Sequence, residues 1–513
     1  MTHVITGSCC NDAACVPVCP VNCIHPAPGE PGFGTAEMLY IDDASCIDCG
    51  SCVDVCPVNA ITADYDMDPV DEPFLALNSA WFAQADHASY AAPPREPALT
   101  SSRPGPLKVA VVGAGPTGGY VVESLLGVKG LGVEVTVVDK LLTPGGLIRY
   151  GVAPDHHDTK GAGDHLIKTL KRPGVDVRLG VELGTDVSLQ DLASSHHAVV
   201  VATGASEGRR LGIPGEDLPG SHSAVDFVGW YNGHPDQASL RFDLTSERAV
   251  VIGNGNVSLD VARILLATPD ALRKSDIAPD ALDALGESKI REVVLVGRRG
   301  PEHAAFTAGE LIGLLQVPDL GLAARPEDLD VTSGDSVVTH KLELLRGLGS
   351  NSGAERRLEF RFGLRPDALL GDTGVRAVRF DDGEELEAGL VLSAIGYRAR
   401  PLPGVPFDDE QGRVPNVDGR VAPGLYVSGW IKRGPSGGIG ANKWCAKETV
   451  GALLADFDAG LLAEPTGVLA TTGVGLDAWA LLDRHEKTLG RAAGRPRIKL
   501  VDVAEQRAVL AGG

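Results

Sequence analysis

From about residue 107 onward, short runs of β-branched and aliphatic residues alternate with longer stretches whose apolar positions recur at helical spacing. Val109-Ala-Val-Val112 predicts a buried strand, a helical segment follows Gly118, and a second run, Val133 to Val138, ends in Asp139. The same order returns later: Ala249-Val-Val-Ile252, a helical stretch through Arg263, and a strand from Glu292 to Val296. Strand, helix, strand in succession predicts parallel sheets with crossover helices, an α/β architecture. Residues 325–390 instead alternate charged and apolar positions around Asp and Gly turns, which predicts further strands. Gly424 to Gly429 reads as a strand feeding a glycine turn, with a helix starting near Ala441. Residues 67–106 are broken by prolines and hold one short apolar helix candidate, Phe74 to Phe82. Such proline density predicts a semi-stiff linker rather than a core element.

The turns between these strands and helices carry chemistry. Gly113-Ala-Gly115-Pro-Thr-Gly118 lies between a strand and a helix, and Asp139 follows about twenty residues later. Gly113 permits a tight turn, Gly115 lets backbone approach a pyrophosphate, and Gly118 lets helix sit close to sheet. The helix N-terminus faces phosphate charge, and Asp139 can accept from a ribose 2′-hydroxyl. Gly253-Asn254-Gly255-Asn256-Val257-Ser258 repeats the arrangement, with Ser258 small enough for the third glycine's place. Its second strand ends in Gly297-Arg298-Arg299-Gly300 with no acid. An acid there would repel a 2′-phosphate, whereas two guanidiniums grip one through forked, charge-assisted hydrogen bonds. NADPH is therefore expected in preference to NADH.

Nine of the ten cysteines lie between Cys9 and Cys56. Cys46-x-x-Cys49-x-x-Cys52-x-x-x-Cys56-Pro57 is the bacterial ferredoxin run, whose fourth cysteine ligates the other cluster. The earlier half, Cys9-x-x-Asp12-x-x-Cys15-x-x-x-Cys19-Pro20, is nearly the same, with Asp12 in the second cysteine's place. Crossing the fourth ligands gives one set of Cys46, Cys49, Cys52 and Cys19, and another of Cys9, Cys15 and Cys56. Asp12 is the in-register candidate for the second set's fourth iron. Cys10 is an alternative to Cys9 that breaks the duplicated spacing. A carboxylate holds cluster iron less well than a thiolate. The expectation is one [4Fe-4S] cluster and one [3Fe-4S] cluster able to take up a labile fourth iron.

Charge and length narrow the class. At 513 residues the chain exceeds one core, and its formal charge of −22 argues against nucleic acid. No run of about eighteen apolar residues predicts a membrane span, and the N-terminus lacks a secretory pattern, so a cytoplasmic protein is expected. Residues 1–66 contain nine acids and no Lys or Arg, a surface that suits a cationic partner face.

Two family resemblances add to this. Residues 1–66 resemble seven-iron ferredoxins, though without their longer first loop. Residues 107–460 resemble adrenodoxin reductase and its bacterial NADPH–ferredoxin reductase relatives. That likeness rests on the fingerprints, on Gly145-Gly-Leu-Ile-Arg-Tyr-Gly-Val-Ala-Pro-Asp-His156, on Pro214-Gly-Glu216 and on Phe227-Val-Gly-Trp-Tyr-Asn232. The whole chain looks like such a reductase fused to its own ferredoxin. The resemblance implies a glutathione-reductase-like pair of Rossmann-like three-layer domains behind an α+β two-cluster ferredoxin domain. It implies residues 1–66 as the ferredoxin domain, 67–106 as linker, 107–206 plus 397–462 for FAD, 207–396 for NADP, and 463–513 as an appendage.

It further implies that Gly115, Thr117, Asp139, Leu147, Leu183, Trp430 and Gly437 through Ile439, with Gly438 between them, contact FAD. His156 is implied near the flavin ring and Glu310 beside the nicotinamide carboxamide, both as orienting groups. Lys432 and Arg433 are expected either to face the acidic ferredoxin or to lie in solvent. The activity expected is ferredoxin–NADP+ reduction chemistry: electrons pass from NADPH through FAD to the fused clusters, then to an external ferredoxin or oxygenase system. A glutamate-synthase-type electron-input subunit and an iron or redox sensor module are the other readings.

Overall fold

The computed structural model describes residues 1–84, 98–348 and 353–512. The cysteine-rich segment begins with two small antiparallel ribbons. His3–Ile5 pairs with Ile61–Ala63, and Ile24–His25 pairs with Tyr40–Ile41. Short helical turns at Val16–Val18 and Ser51–Asp54 carry the cysteines between them. Val4, Ile5, Ile24, Leu39, Tyr40 and Ile41 are buried between the ribbons.

This small core is completed by residues expected to be linker. Helix Pro73–Phe82 places Phe74, Leu77 and Trp81 on one buried face, and Trp81 stacks on Tyr40 at 5.2 Å. The fully buried Asn78 joins both ribbons: its Oδ1 accepts from Ile41 N (2.9 Å) and its Nδ2 donates to Ile5 O (2.9 Å). Proline at the helix start fits its first turn, where no backbone donor is needed. The proline count thus misjudged residues 67–84. Of the expected linker, residues 85–97 lie outside the described residues, and Ser101 to Arg103 are fixed by Asp458.

Two six-stranded sheets follow. The first runs, in spatial order, Arg420–Ala422, Leu425–Val427, Ala198–Val201, Pro106–Val112, Gly132–Asp139 and Val175–Leu179. All its pairings are parallel except the outermost hairpin at 420–427. The second is wholly parallel: Ser221–Ser223, Leu390–Ser393, Arg248–Ile252, Glu292–Val296, Arg356–Arg361 and Leu320–Ala324. Continuous apolar runs such as Ala249–Ile252 form these strands because both faces are covered: Ala249 and Val251 pack with helices, and Val250 and Ile252 pack with residues 369–386. Among the described residues, the strands expected over residues 325–390 are found only from Arg356 onward, including a separate antiparallel sheet of Pro366–Leu370, Ala377–Phe380 and Glu385–Glu387. Ser336–Arg346 is instead a helix, capped by Asp335 and burying Val337, Leu342 and Leu345 at helical spacing.

The C-terminal segment is a clasp. Helix Leu476–Ala492 buries Trp479 and Leu482 against the first sheet's helices. Its Glu486, fully buried, binds the Arg149 guanidinium (2.7 Å), Arg497 (3.0 Å) and Leu500 N (3.0 Å). Buried Lys499 reaches the other half, pairing with Asp276 at 3.0 Å, and Arg495 donates to Ser275 O. Burial would raise the Glu486 carboxyl pKa, but Arg149 and Arg497 outweigh it and hold it below its ordinary value of 4.5. A lowered carboxyl pKa stabilises the folded state above the unfolded pKa and loses that contribution as pH falls. Glu486→Ala, which leaves Arg149 without its closest carboxylate, is expected to cost about 3–5 kcal/mol at pH 7. Urea unfolding followed by tryptophan fluorescence checks this; the gap from the unaltered chain should narrow as pH drops below 4.5.

Candidate functional site

Both glycine turns leave space where a diphosphate would lie. At Gly113, φ is +113°, and a Cβ would sit 2.6 Å from Ala202 O; at Gly118 it would sit 1.9 Å from Gly113 O. Neither position tolerates a side chain. At Gly115 the nearest atom to such a Cβ is Gly146 Cα at 3.7 Å, and at Gly255 nothing lies within 4 Å. Helices Pro116–Leu126 and Asn256–Leu266 both start at these open glycines with no side chain capping them. Their free N–H groups remain for an anion. The shared design fits two dinucleotides, one per half.

The remaining expected residues fall around these turns. Asp139 is buried and spends its carboxylate on the turn, accepting from Ala114 N (2.7 Å) and Leu141 N (2.8 Å). Each oxygen retains a lone pair. Thr117 Oγ1 donates to Asn442 Oδ1 (2.8 Å), tying the first helix to helix Ala441–Asp458. Leu147 opens the short helix Leu147–Tyr150, and Leu183 is buried beside Val112 and Val138. Trp430 donates from its indole to Ser436 O (3.1 Å), closing the loop that contains Gly437, Gly438 and Ile439. In the second half, Asn254 O accepts from Phe306 N and Asn256 Oδ1 from Thr307 N, both at 2.8 Å. Val257 contacts the core beside them. Arg298 and Arg299 are exposed, and among the described residues neither forms an ion pair.

His156 and Glu310 are brought together, with partners the sequence did not single out. His156 Nε2 lies 3.8 Å from Glu310 and 3.7 Å from Asp260. Arg263 Nη2 donates to the same nitrogen at 2.8 Å and also pairs with Asp260 and Asp155. Burial pushes the Asp260 carboxyl up, His156 opposes this, and Glu310 adds to it; the Arg263 contact also favours the charged form. The i, i+3 spacing of Asp260 and Arg263 on a helix that starts at a phosphate turn was the available signal.

The cysteines form no disulfide and gather on two cavities. Cys19, Cys46, Cys49 and Cys52 line one, with Cys23. Cys9, Asp12, Cys15 and Cys56 line the other, with Cys10. These are the two crossed sets. Burial pushes the Cys9 and Cys52 thiols up to about 11. Neutral thiols packed this closely fit sites where iron displaces the protons.

The second cavity adjoins the first dinucleotide half. Gly440 N donates to Cys10 O (2.8 Å), and a Cβ on Gly440 would lie 2.2 Å from Asp12 N. Cys10, Val58 and Ala60 share an apolar cluster with Tyr120, Ile148 and Ala446. Lys443 stands 3.7 Å from Asp12 Oδ2, and Phe33 meets Trp444 edge-on. The other half is held by Glu37, which accepts from Ala308 N (2.7 Å) and pairs with the buried Lys341 (2.9 Å). Lys432 and Arg433 do not serve this seam. Lys432 is buried against Glu448 and Thr449, and Arg433 binds Ser436 O and Asn442 Oδ1. Their short helix turns them into the loop rather than outward. Lys443, in the first turn of the next helix, Ala441–Asp458, takes the place expected for them.

A dinucleotide-binding oxidoreductase joined to an iron–sulfur segment is the class these features define. The chain belongs to the family of fused ferredoxin/ferredoxin–NADP reductases. It is 44% identical to a probable ferredoxin/ferredoxin–NADP reductase of Mycobacterium leprae, over all of this chain and 98% of that one. It is 41% identical to the NADPH-ferredoxin reductase FprA of Mycobacterium tuberculosis, over 78% of this chain and 98% of that protein. FprA in complex with NADPH superposes with a TM-score of 0.76 at 39% identity, over 80% of this chain and all of FprA. Residues 107–274 match the pyridine nucleotide-disulphide oxidoreductase family and residues 39–62 the 4Fe-4S binding domain. Among the described residues no helix is long and apolar enough to cross a membrane.

The Glu37 contacts give a direct test of the seam. In Glu37→Ala the Ala308 amide loses its acceptor, and its hydrogen exchange is expected to quicken about tenfold or more in the full chain.

Proposed function

We propose that this chain passes electrons from NADPH through FAD to two iron–sulfur clusters in its own N-terminal segment, and from there to a separate acceptor protein. The observation that carries the reading is the Gly440 N–H to Cys10 carbonyl hydrogen bond. It joins the loop assigned to flavin, Gly437 to Ile439, to the cysteine loop with no side chain between. FAD, when bound, supplies the conversion between a two-electron hydride and one-electron carriers.

The chain's own residues do the positioning. The turns at Gly113–Gly118 and Gly253–Val257 receive the two diphosphates on helix N-termini, and Asp139 braces the first. Arg298 and Arg299 hold the 2′-phosphate and so choose NADPH. His156 and Glu310 orient the nicotinamide, with Asp260 and Arg263 fixing the imidazole. Cys19, Cys46, Cys49 and Cys52 hold a [4Fe-4S] cluster. Cys9, Cys15 and Cys56 hold a [3Fe-4S] cluster, with Asp12 as the ligand for a labile fourth iron. None of the relatives named above is a glutamate-synthase subunit or a sensor.

An anaerobic stopped-flow mix with NADPH should bleach flavin absorption first and cluster absorption next. Clusters that stay oxidised beside a reduced flavin would falsify the path. Electron paramagnetic resonance (EPR) separates the clusters: the three-iron signal should fall on adding Fe²⁺ to the unaltered chain and persist in Asp12→Ala. For the nucleotide, Arg298→Ala with Arg299→Ala is expected to raise KM for NADPH about 100-fold while leaving KM for NADH nearly constant. Steady-state kinetics with both coenzymes check this.

A further inference from the structure

The two thiol cavities differ in what covers them. The Cys9, Asp12, Cys15 and Cys56 cavity lies at the seam, under Gly440 and Lys443. The Cys19, Cys46, Cys49 and Cys52 cavity has no such cover. Among the described residues, no hydrogen bond or ion pair joins residues 16–23 or 46–55 to the dinucleotide-binding halves. Cys49 is exposed. Ile47 and Val21 line this cavity and are 59% and 37% exposed. Val18 and Val53, also exposed, lie on the short helices Val16–Val18 and Ser51–Asp54, which pack together; Val55 follows. Five water-facing aliphatic side chains beside one redox cavity form an interaction patch.

The surrounding charge has one sign. Asp54 stands exposed between Val53 and Val55, Asp43 and Asp66 are exposed as well, and residues 1–66 contain no Lys or Arg. Among the described residues, the acids of this segment that meet a lysine, Asp12 and Glu37, are those turned to the seam.

We propose that this aliphatic collar is the exit of the electron path: a docking face for a separate electron-accepting protein whose redox centre is framed by apolar surface and ringed by Lys or Arg. The inference rests on the path proposed above and divides its labour. The seam cluster faces the flavin side and stays internal. Cys19, Cys46, Cys49 and Cys52 would hold the outer cluster, which would supply one electron per encounter to the acceptor's metal, with no bond made and no proton moved. Electrostatic complementarity of this kind sets encounter rate and orientation and weakens with salt.

The test uses the full, cofactor-loaded chain with cytochrome c as a basic probe, in two readouts. Equilibrium binding of the oxidised chain to ferricytochrome c needs no turnover. At low salt, Asp54→Lys should weaken it about tenfold, with the difference disappearing at high salt. Val53→Ser should weaken it at all salt concentrations, with iron content and cluster EPR unchanged. Asp372→Lys, an exposed site in the loop between strands Pro366–Leu370 and Ala377–Phe380, makes the same charge change and should alter binding less than about twofold. In all three variants NADPH should still bleach both clusters at the unaltered rate. Unchanged binding in Asp54→Lys and Val53→Ser, or equal weakening in Asp372→Lys, overturns the docking face. Clusters that never bleach in the unaltered chain overturn the electron path itself, a separate result.

Discussion

At Gly440 the cysteine-rich segment and the first dinucleotide half meet backbone to backbone. The Gly440 N–H binds Cys10 O, and the space a Cβ would take is filled by Asn11 and Asp12. Any other residue there would push the cysteine loop away from the loop at Gly437–Ile439. The rest of the seam, from Lys443 and Trp444 to Glu37 and Lys341, secures that approach at its edges. The seam's ion pairs are few and partly or wholly buried, where they orient more than they stabilise. Apolar packing of Val58 and Ala60 against the helices supplies the adhesion.

Much of this arrangement could be read from residue order because the relevant signals are local. A glycine needed for a positive φ, a helix N-terminus left uncapped and an arginine pair after a strand are each fixed by a few neighbouring residues. The cysteine register is likewise a matter of spacing, and the two cavities collect the crossed sets it suggested. What the chain order could not reveal is which surfaces meet. Helix Pro73–Phe82 was legible as a short apolar run, but its place in a core was not, because that rests on Trp81 against Tyr40 and Asn78 across two ribbons, contacts distant in sequence. Lys432 and Arg433 were plausible seam cations by position alone. Only the direction of a four-residue helix turns them inward.

The His156 cluster shows the same limit in finer detail. His156 and Glu310 were placed by family likeness, but their mutual arrangement depends on Arg263, which reaches three partners from the second half's first helix. A helix whose first turn carries free N–H groups thus ends its second turn by fixing the His156 imidazole. One element serves both tasks.

The clasp of Glu486, Arg149, Lys499 and Asp276 has a consequence in time. Translation proceeds from the N-terminus, so both nucleotide-binding halves leave the ribosome before the segment that locks them together. During that interval the halves are tied only by their own ion pairs, among them Arg263 with Asp155 and Lys160 with Asp276. Once the last helices fold back, Glu486 and Lys499 add charges buried too deeply to separate cheaply, and the two halves are fixed against each other last of all.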